Sequence, residues 1–191
     1  MSKTDQPVDI ADIVGIAGVG GIGSNVAAIL ARAGGMNLKI IDFDHVESSN
    51  LNRQFYFASQ IGKPKVDMLE HNLKKINPDI KVSKEIQKIT RETVKSDFKE
   101  CKIIVEGFDL KESKIMLLEE LAGEKDLIVS ASGIAGDDMT GIQVKKIGGN
   151  CYIAGDYCSG NNSFDIFPPK VFSIAALMAG IVLKHIKKVV K

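Results

Sequence analysis

IADIVGIAGVGGIGSNVAAILARAGGMNLKIIDFD, residues 10–44, is the stretch whose reading decides the fold. Ile10 to Ala17 is apolar enough for a buried strand, and Gly18-Val19-Gly20-Gly21-Ile22-Gly23 follows it. From Ser24 to Ala33 the apolar residues Val26, Ala27, Ile29 and Leu30 recur at helical spacing. Gly34-Gly35 stops that helix, and Leu38 to Asp42 reads as a second strand. Strand, glycine turn, helix and strand make a βαβ unit. Within it, Gly18, Gly20 and Gly23 match G-x-G-x-x-G. The first glycine permits the tight turn, the second lets backbone amides approach a phosphate, and the third lets the helix pack close to the strand. The helix N-terminus adds a partial positive charge. Gly18, Gly20, Gly21 and Gly23 are therefore candidate nucleotide-binding positions. Asp42 ends the second strand near the spacing at which an acid bonds ribose hydroxyls, which NAD and ATP binding both require. Asp44 reads either as a supporting contact or as a solvated loop acid.

The alternation continues outward. Pro64 suits the first position of a helix running to about Ile76, closed by Asn77-Pro78. Ile80 to Val82 extends into a third strand, and Thr90 can cap a short helix through Lys95. Ile103 to Val105 is a fourth strand, Leu110 to Leu121 a helix, and Leu127 to Ala131 a fifth strand followed by a turn at Ser132-Gly133. Ile142 to Lys146 and Tyr152 to Ala154 read as late antiparallel strands. The predicted fold is α/β: a Rossmann-like, doubly wound, mostly parallel sheet with helices on both faces and an apolar C-terminal helix. Residues 1–9 read as a loose polar terminus, and 10–191 as one nucleotide-binding domain with a core.

Lys and Arg number 25 against 24 Asp and Glu, a formal charge of +1. So small a charge gives no global attraction to nucleic acid or membrane. Val171 to Leu183 is almost wholly apolar but falls short of the roughly 20 residues a membrane span needs, and it reads as a helix packed on the sheet. Lysines and His185 after it suit the negative end of the helix dipole. Cys101, Cys151 and Cys158 form no disulfide framework, and no signal peptide is read before them. A reducing cytoplasm is expected.

Three further residues separate a triphosphate site from a dinucleotide site. Arg53 lies between Asn50 and Gln54, all able to bond phosphate oxygens. Lys65 stands in Gly62-Lys63-Pro64-Lys65 at a predicted helix start, so an ammonium and a helix end face one anion. Asp109 follows the fourth strand and can hold Mg²⁺, which usually takes one or two carboxylates plus phosphate oxygens. Loops after parallel strands converge on one crevice, so these residues can meet there. The plainer readings are a solvated basic loop for Arg53 and Lys65, and a helix N-cap for Asp109.

These motifs resemble the ThiF/MoeB/HesA family, relatives of the ubiquitin-activating enzymes. They are G-V-G-G-I-G-S at 18–24, D-F-D at 42–44, S-N-L-N-R-Q at 49–54 and G-K-P-K at 62–65. The likeness runs from about Ile13 to the C-terminal helix, and is strongest to short ThiF-type adenylyltransferases linked to thiamine biosynthesis, with Gly155-Asp156 and the apolar helix after Pro169 contributing. The resemblance implies binding of Mg·ATP and of a ubiquitin-like sulfur carrier, ThiS-like and ending in Gly-Gly. The carrier's carboxylate attacks the α-phosphate and gives an acyl-adenylate and pyrophosphate. It also implies that Asp42 holds the ribose, that Asn50, Arg53 and Lys65 hold the phosphates with Gln54 in support, that Asp109 holds magnesium, and that the protein is a homodimer.

The sequence departs from that pattern in several places. Many relatives bind zinc through two C-x-x-C pairs; none is present here, so zinc is not expected. Some relatives use a later-loop cysteine as a nucleophile; Cys158 and, less so, Cys151 lie in the relevant third, but nothing marks either as activated. Residues 1–17 lack the arginine that larger relatives reach into the partner's site, and Lys3 is a poor geometric substitute. Lys114 stands where the family has an arginine five residues after the metal-binding acid. His45, His71 and His185 are scattered, without a paired carboxylate or metal-ligand spacing. Two other readings stay open: an NAD-dependent dehydrogenase, from the glycine motif and Asp42 alone, and a nucleotide-binding scaffold without turnover.

Overall fold

The computed structural model describes residues 13–34, 36–160 and 165–189. The loose terminus expected at 1–9, the first residues of the predicted first strand, Lys3, Gly35 and most of the turn read at 160–163 lie outside the described residues. Five parallel strands alternate with four helices as β1 (Ile13–Ala17), α1 (Gly21–Ala33), β2 (Asn37–Ile41), α2 (Lys65–Ile76), β3 (Lys81–Glu85), α3 (Val94–Asp97), β4 (Cys101–Glu106), α4 (Lys111–Leu121) and β5 (Leu127–Ala131), followed by β6 (Gln143–Gly148), β7 (Cys151–Gly155) and a last helix α5 (Pro168–Val189). The sheet order is β3-β2-β1-β4-β5-β7-β6. β7 runs parallel to β5, and the edge strand β6 is antiparallel to β7. The late antiparallel element is therefore β6, with β7 serving both neighbours.

Period-two alternation explains the two layers. Val14, Ile16, Leu38, Ile40, Ile103, Val105, Leu127 and Val129 point to one face, where α1, α2 and α5 cover them. Ala17, Ile41, Ile104 and Ile128 point to the other, under α3 and α4. Strands buried on both faces read as unbroken apolar runs, which is why β1, β4 and β5 were legible. Leu117 and Leu121 of α4 are fully buried in the second cluster, so that helix spends its apolar face in the core.

Boundaries shift where capping decides them. The first helix begins at Gly21, three residues ahead of Ser24, because the glycine turn is itself the helix start. Pro64 is the N-cap of α2, one position before the helix proper. The short helix starts after Thr93, whose hydroxyl accepts the Thr90 N–H, so Thr90 opens a turn and does not cap the helix. The apolar C-terminal segment is longer than read: 168–187 is long and apolar enough to cross a membrane by length and composition alone. Val171, Ile174, Ala175, Met178, Ala179 and Val182 on it are fully buried against the first cluster, the pattern of a core helix.

Candidate active site

The strand order reverses between β1 and β4, and the crevice at their C-terminal ends is the expected ligand site of such a sheet. Gly18 turns there with φ +83°, a conformation costly for other residues, and its N–H donates to the Ile41 carbonyl at 2.9 Å. A Cβ on Gly23 would overlap the Gly18 carbonyl oxygen, so that glycine sets how closely α1 approaches β1. Asp42 ties the loop to β2: Oδ2 accepts the Val19 N–H at 2.7 Å and Oδ1 the Asp44 N–H at 2.8 Å. Burial pushes the Asp42 carboxyl up, against the pull of those two N–H groups. Each oxygen keeps a second lone pair for a ribose hydroxyl.

Hydrogen bonds from α1 dock the S-N-L-N-R-Q segment. The Ser24 hydroxyl accepts the Phe55 N–H at 3.0 Å, and Asn25 Nδ2 donates to the Arg53 carbonyl at 2.8 Å. This brings the Arg53 side-chain stem beside Gly21 at the helix N-terminus. Arg53 Nη1 donates to the Ser49 carbonyl at 2.8 Å and to Asn52 Oδ1 at 2.9 Å, leaving Nη2 and Nε without partners among the described residues. Gln54 Oε1 is buried with no partner among the described residues. Lys65, only 6% exposed at the start of α2, places Nζ 2.8 Å from Asp44 Oδ2. Asp44 is thus the partner of Lys65, and Asp42 in turn orients Asp44.

Across the crevice, the fully buried Glu106 at the end of β4 accepts the Phe108 N–H at 2.6 Å, the Ser130 hydroxyl at 2.5 Å and Lys114 Nζ at 3.0 and 3.1 Å. These bonds fix the Gly107–Asp109 turn over Gly18. Lys114 is committed to this ion pair. Sequence reading passed over Glu106; its signal was an acid closing an apolar strand.

Together these elements enclose a cavity of about 430 Å³, within the range of small-molecule sites. Gly18, Gly20, Gly21, Asp42, Arg53, Gln54, Lys65 and Asp109 all line it. Two named positions stand apart. Gly23 acts through packing, and Asn50 is buried with Oδ1 accepting the Glu47 N–H at 3.0 Å, shaping the turn before Arg53. Asp109 does not cap α4: Leu110 holds the N-cap position, and the exposed Asp109 carboxylate faces the cavity region unbonded. The donor set fits a nucleotide triphosphate, with helix-end amides, an arginine fork and a lysine at one end and the Asp42 carboxylate beside them. Among the described residues no group of three or more His, Cys, Asp or Glu side chains could hold a metal. A magnesium ion at Asp109 would therefore take its remaining oxygens from phosphate and water.

The cysteines divide by burial. Burial pushes the Cys101 thiol up to about 11, and raises Cys151 with the Glu106 charge adding to it. Neither is suited to act as a thiolate. Cys158 is exposed on the loop after β7.

The ThiF family model matches residues 11–189. A tRNA threonylcarbamoyladenosine dehydratase of Bacillus subtilis is 33% identical over 127 residues, 65% of this chain and 50% of that protein. A sulfur carrier protein ThiS adenylyltransferase of Bacillus subtilis is 35% identical over 94 residues, 48% of this chain and 28% of that protein. The chain spans half or less of the length of these curated relatives. Among solved structures, the E. coli tRNA N6-threonylcarbamoyladenosine dehydratase in complex with ATP superposes with a TM-score of 0.82 at 20% identity, covering 93% of this chain and 87% of that one. E. coli MccB with ATP gives a TM-score of 0.70 at 25% identity, covering 93% and 56%. By a family match spanning nearly all of its length, on the fold and crevice described above, the chain belongs to the ThiF family.

Proposed function

We propose that this protein is an ATP-dependent adenylyltransferase that activates the C-terminal Gly-Gly carboxylate of a ubiquitin-like sulfur carrier, with thiamine thiazole synthesis as the process served. The observation that carries the reading is the meeting of Arg53, Lys65, the α1 N-terminus and Asp109 around one cavity. A dehydrogenase needs none of those three side chains.

In the proposed reaction a carboxylate oxygen of the carrier attacks the α-phosphorus of ATP. The bond from that phosphorus to the bridging oxygen breaks, and pyrophosphate leaves with the electron pair. Both reactants are anions, so fixed positive charge has to offset their repulsion and stabilise the leaving group. Arg53 offers unpartnered guanidinium N–H groups, Lys65 an ammonium, and α1 the amides of its first turn. Asp42 orients the ribose. Magnesium, held by Asp109 and phosphate oxygens, would supply further charge neutralisation. No proton leaves the attacking carboxylate, so the chemistry asks for no general base.

A second reading is favoured by the coverage of the dehydratase match: activation of a carboxylate carried on tRNA. The near-zero net charge weighs against it, because phosphate-backbone binding draws on clustered Lys and Arg. Incubation with ATP, magnesium and a ThiS-like carrier, followed by intact-mass analysis of the carrier, tests the choice. An adenylated carrier is expected. Turnover of ATP only when tRNA is added would overturn the carrier assignment. We further place the protein in the cytoplasm as a homodimer. The apolar groove lined by Leu127, Ile142, Val144, Tyr152, Leu177 and Ile181 supports a second copy as the covering partner, and free Cys101, Cys151 and Cys158 suit a reducing compartment.

A further inference from the structure

Beyond Asp42 the cavity wall carries a polar pair that the reaction above does not use. Gln87, two residues past β3, lines the cavity, and its Nε2 donates to Asp97 Oδ1 at 2.8 Å. Asp97 on α3 is only 8% exposed, and its Oδ2 is buried without a partner among the described residues. An ionised carboxylate accepts hydrogen bonds and donates none, so the Gln87 amide must turn its NH₂ toward Asp97. Its Oε1 is thereby turned away from Asp97, as an acceptor with no partner among the described residues. A carboxylate with one oxygen unsatisfied is a costly way to fill a core position. Orienting a ligand-facing amide explains why it stands there.

The sheet order decides which part of a nucleotide meets Gln87. Phosphates belong at the α1 N-terminus, past the end of β1, and the ribose acid Asp42 stands at the end of β2. β3 lies next in the same direction, so the base falls toward the loop after β3. Phe43, Ile89, Phe108 and Leu110 line the cavity as apolar surface for a purine ring. We infer that Gln87 selects adenine: its Oε1 accepts from the exocyclic amino group on purine C6, and Asp97 is the positioning residue that holds the amide in the accepting orientation. Guanine and hypoxanthine carry a carbonyl oxygen there, and two acceptors would face each other. The inference rests on the ATP reading given above.

Dissociation constants for ATP, GTP and ITP, measured by calorimetry on the wild type, Gln87→Leu and Asp97→Asn, test it. Gln87 is half-buried, so Gln87→Leu is expected to fold. The wild type is expected to bind ATP at least about tenfold more tightly than ITP or GTP, the cost of one mispaired polar contact. In Gln87→Leu the ratio falls to within roughly threefold. Asp97→Asn supplies a donor as well as an acceptor, so the Gln87 amide can turn over; ITP binding then strengthens while ATP binding weakens. A purely structural role for Asp97 would weaken both nucleotides equally and leave the ratio unchanged. If the wild type binds ATP and Gln87→Leu keeps the wild-type ratio, the base-reading role is overturned and the ATP proposal stands. If the wild type binds no ATP, both fall.

Discussion

Lys170→Met isolates the ion pair that closes the far wall of the cavity. Lys170, at the start of α5, is 1% exposed; its Nζ lies 2.6 Å from Asp156 Oδ2 and 2.8 Å from the Ala135 carbonyl. It therefore joins the loops after β5 and β7 to the helix that brings Val171 to the cavity. Methionine preserves the stem and deletes the charge. The Asp156 carboxylate, 9% exposed, would keep the N–H groups of Cys158 and Ser159 at 2.9 and 2.8 Å and the Ser159 side chain. Removing one partner of a buried pair costs about 3–5 kcal/mol, and the two remaining amides favour the lower end, about 3 kcal/mol. For a chain of this size that lowers Tm by about 6–12 °C. Lys170→Met with Asp156→Asn should recover part of the loss, because no uncompensated charge is left buried.

The pH dependence has a definite sign. Burial by itself would raise the Asp156 carboxyl, but the Lys170 ammonium and the Ser159 and Cys158 N–H groups outweigh it and hold it well below the usual range. A depressed folded-state value means stability that is present above the unfolded value near 4 and lost as pH falls through the folded one. The gap between wild type and Lys170→Met should thus be constant from about pH 5 to 8 and shrink below about pH 4. Urea unfolding followed by far-UV circular dichroism measures it, since the chain has no tryptophan. A gap below about 1 kcal/mol at pH 7, or one that persists unchanged at pH 3, would refute the reasoning.

Other expectations follow from the site itself. Arg53→Ala or Lys65→Ala should lower the adenylation rate about 10²–10³-fold, the loss typical of one electrostatic donor; rates near wild type would remove those residues from the phosphate site. Asp109→Asn, exposed and outside the core, should change stability by less than about 0.5 kcal/mol while lowering magnesium-dependent turnover by about 10²-fold or more. Gly23→Ala forces α1 off β1, and a loss of about 1–3 kcal/mol or more is expected, together with loss of ATP binding measured by calorimetry. Cys158→Ser should leave carrier adenylation intact; loss of that step would give the thiol a part in it.

Legibility followed burial and covalent constraint. Strands buried on both faces, and glycines where a Cβ collides with backbone, announce themselves in sequence, so β1, α1, β4 and β5 were placed to within a few residues. Helix starts were less legible. Thr90 has the side chain of a cap, yet the chain turns once more before Val94, with the Thr93 hydroxyl accepting the Thr90 N–H. The site was readable where charge is scarce, as at Arg53, and where a motif fixes spacing. Partnerships made by tertiary contact were not: Glu106 with Lys114, Asp97 with Gln87, and Lys170 with Asp156 join residues on different elements. No periodicity encodes such pairs. Asn50 shows the converse, a motif residue whose amide is spent on a turn.

Magnesium-dependent ATP–pyrophosphate exchange, with and without a ThiS-like carrier ending in Gly-Gly, tests the central claim most directly. The account predicts exchange that requires the carrier and vanishes when its last glycine is deleted. Measurable ATP binding with no exchange on adding the carrier would contradict it.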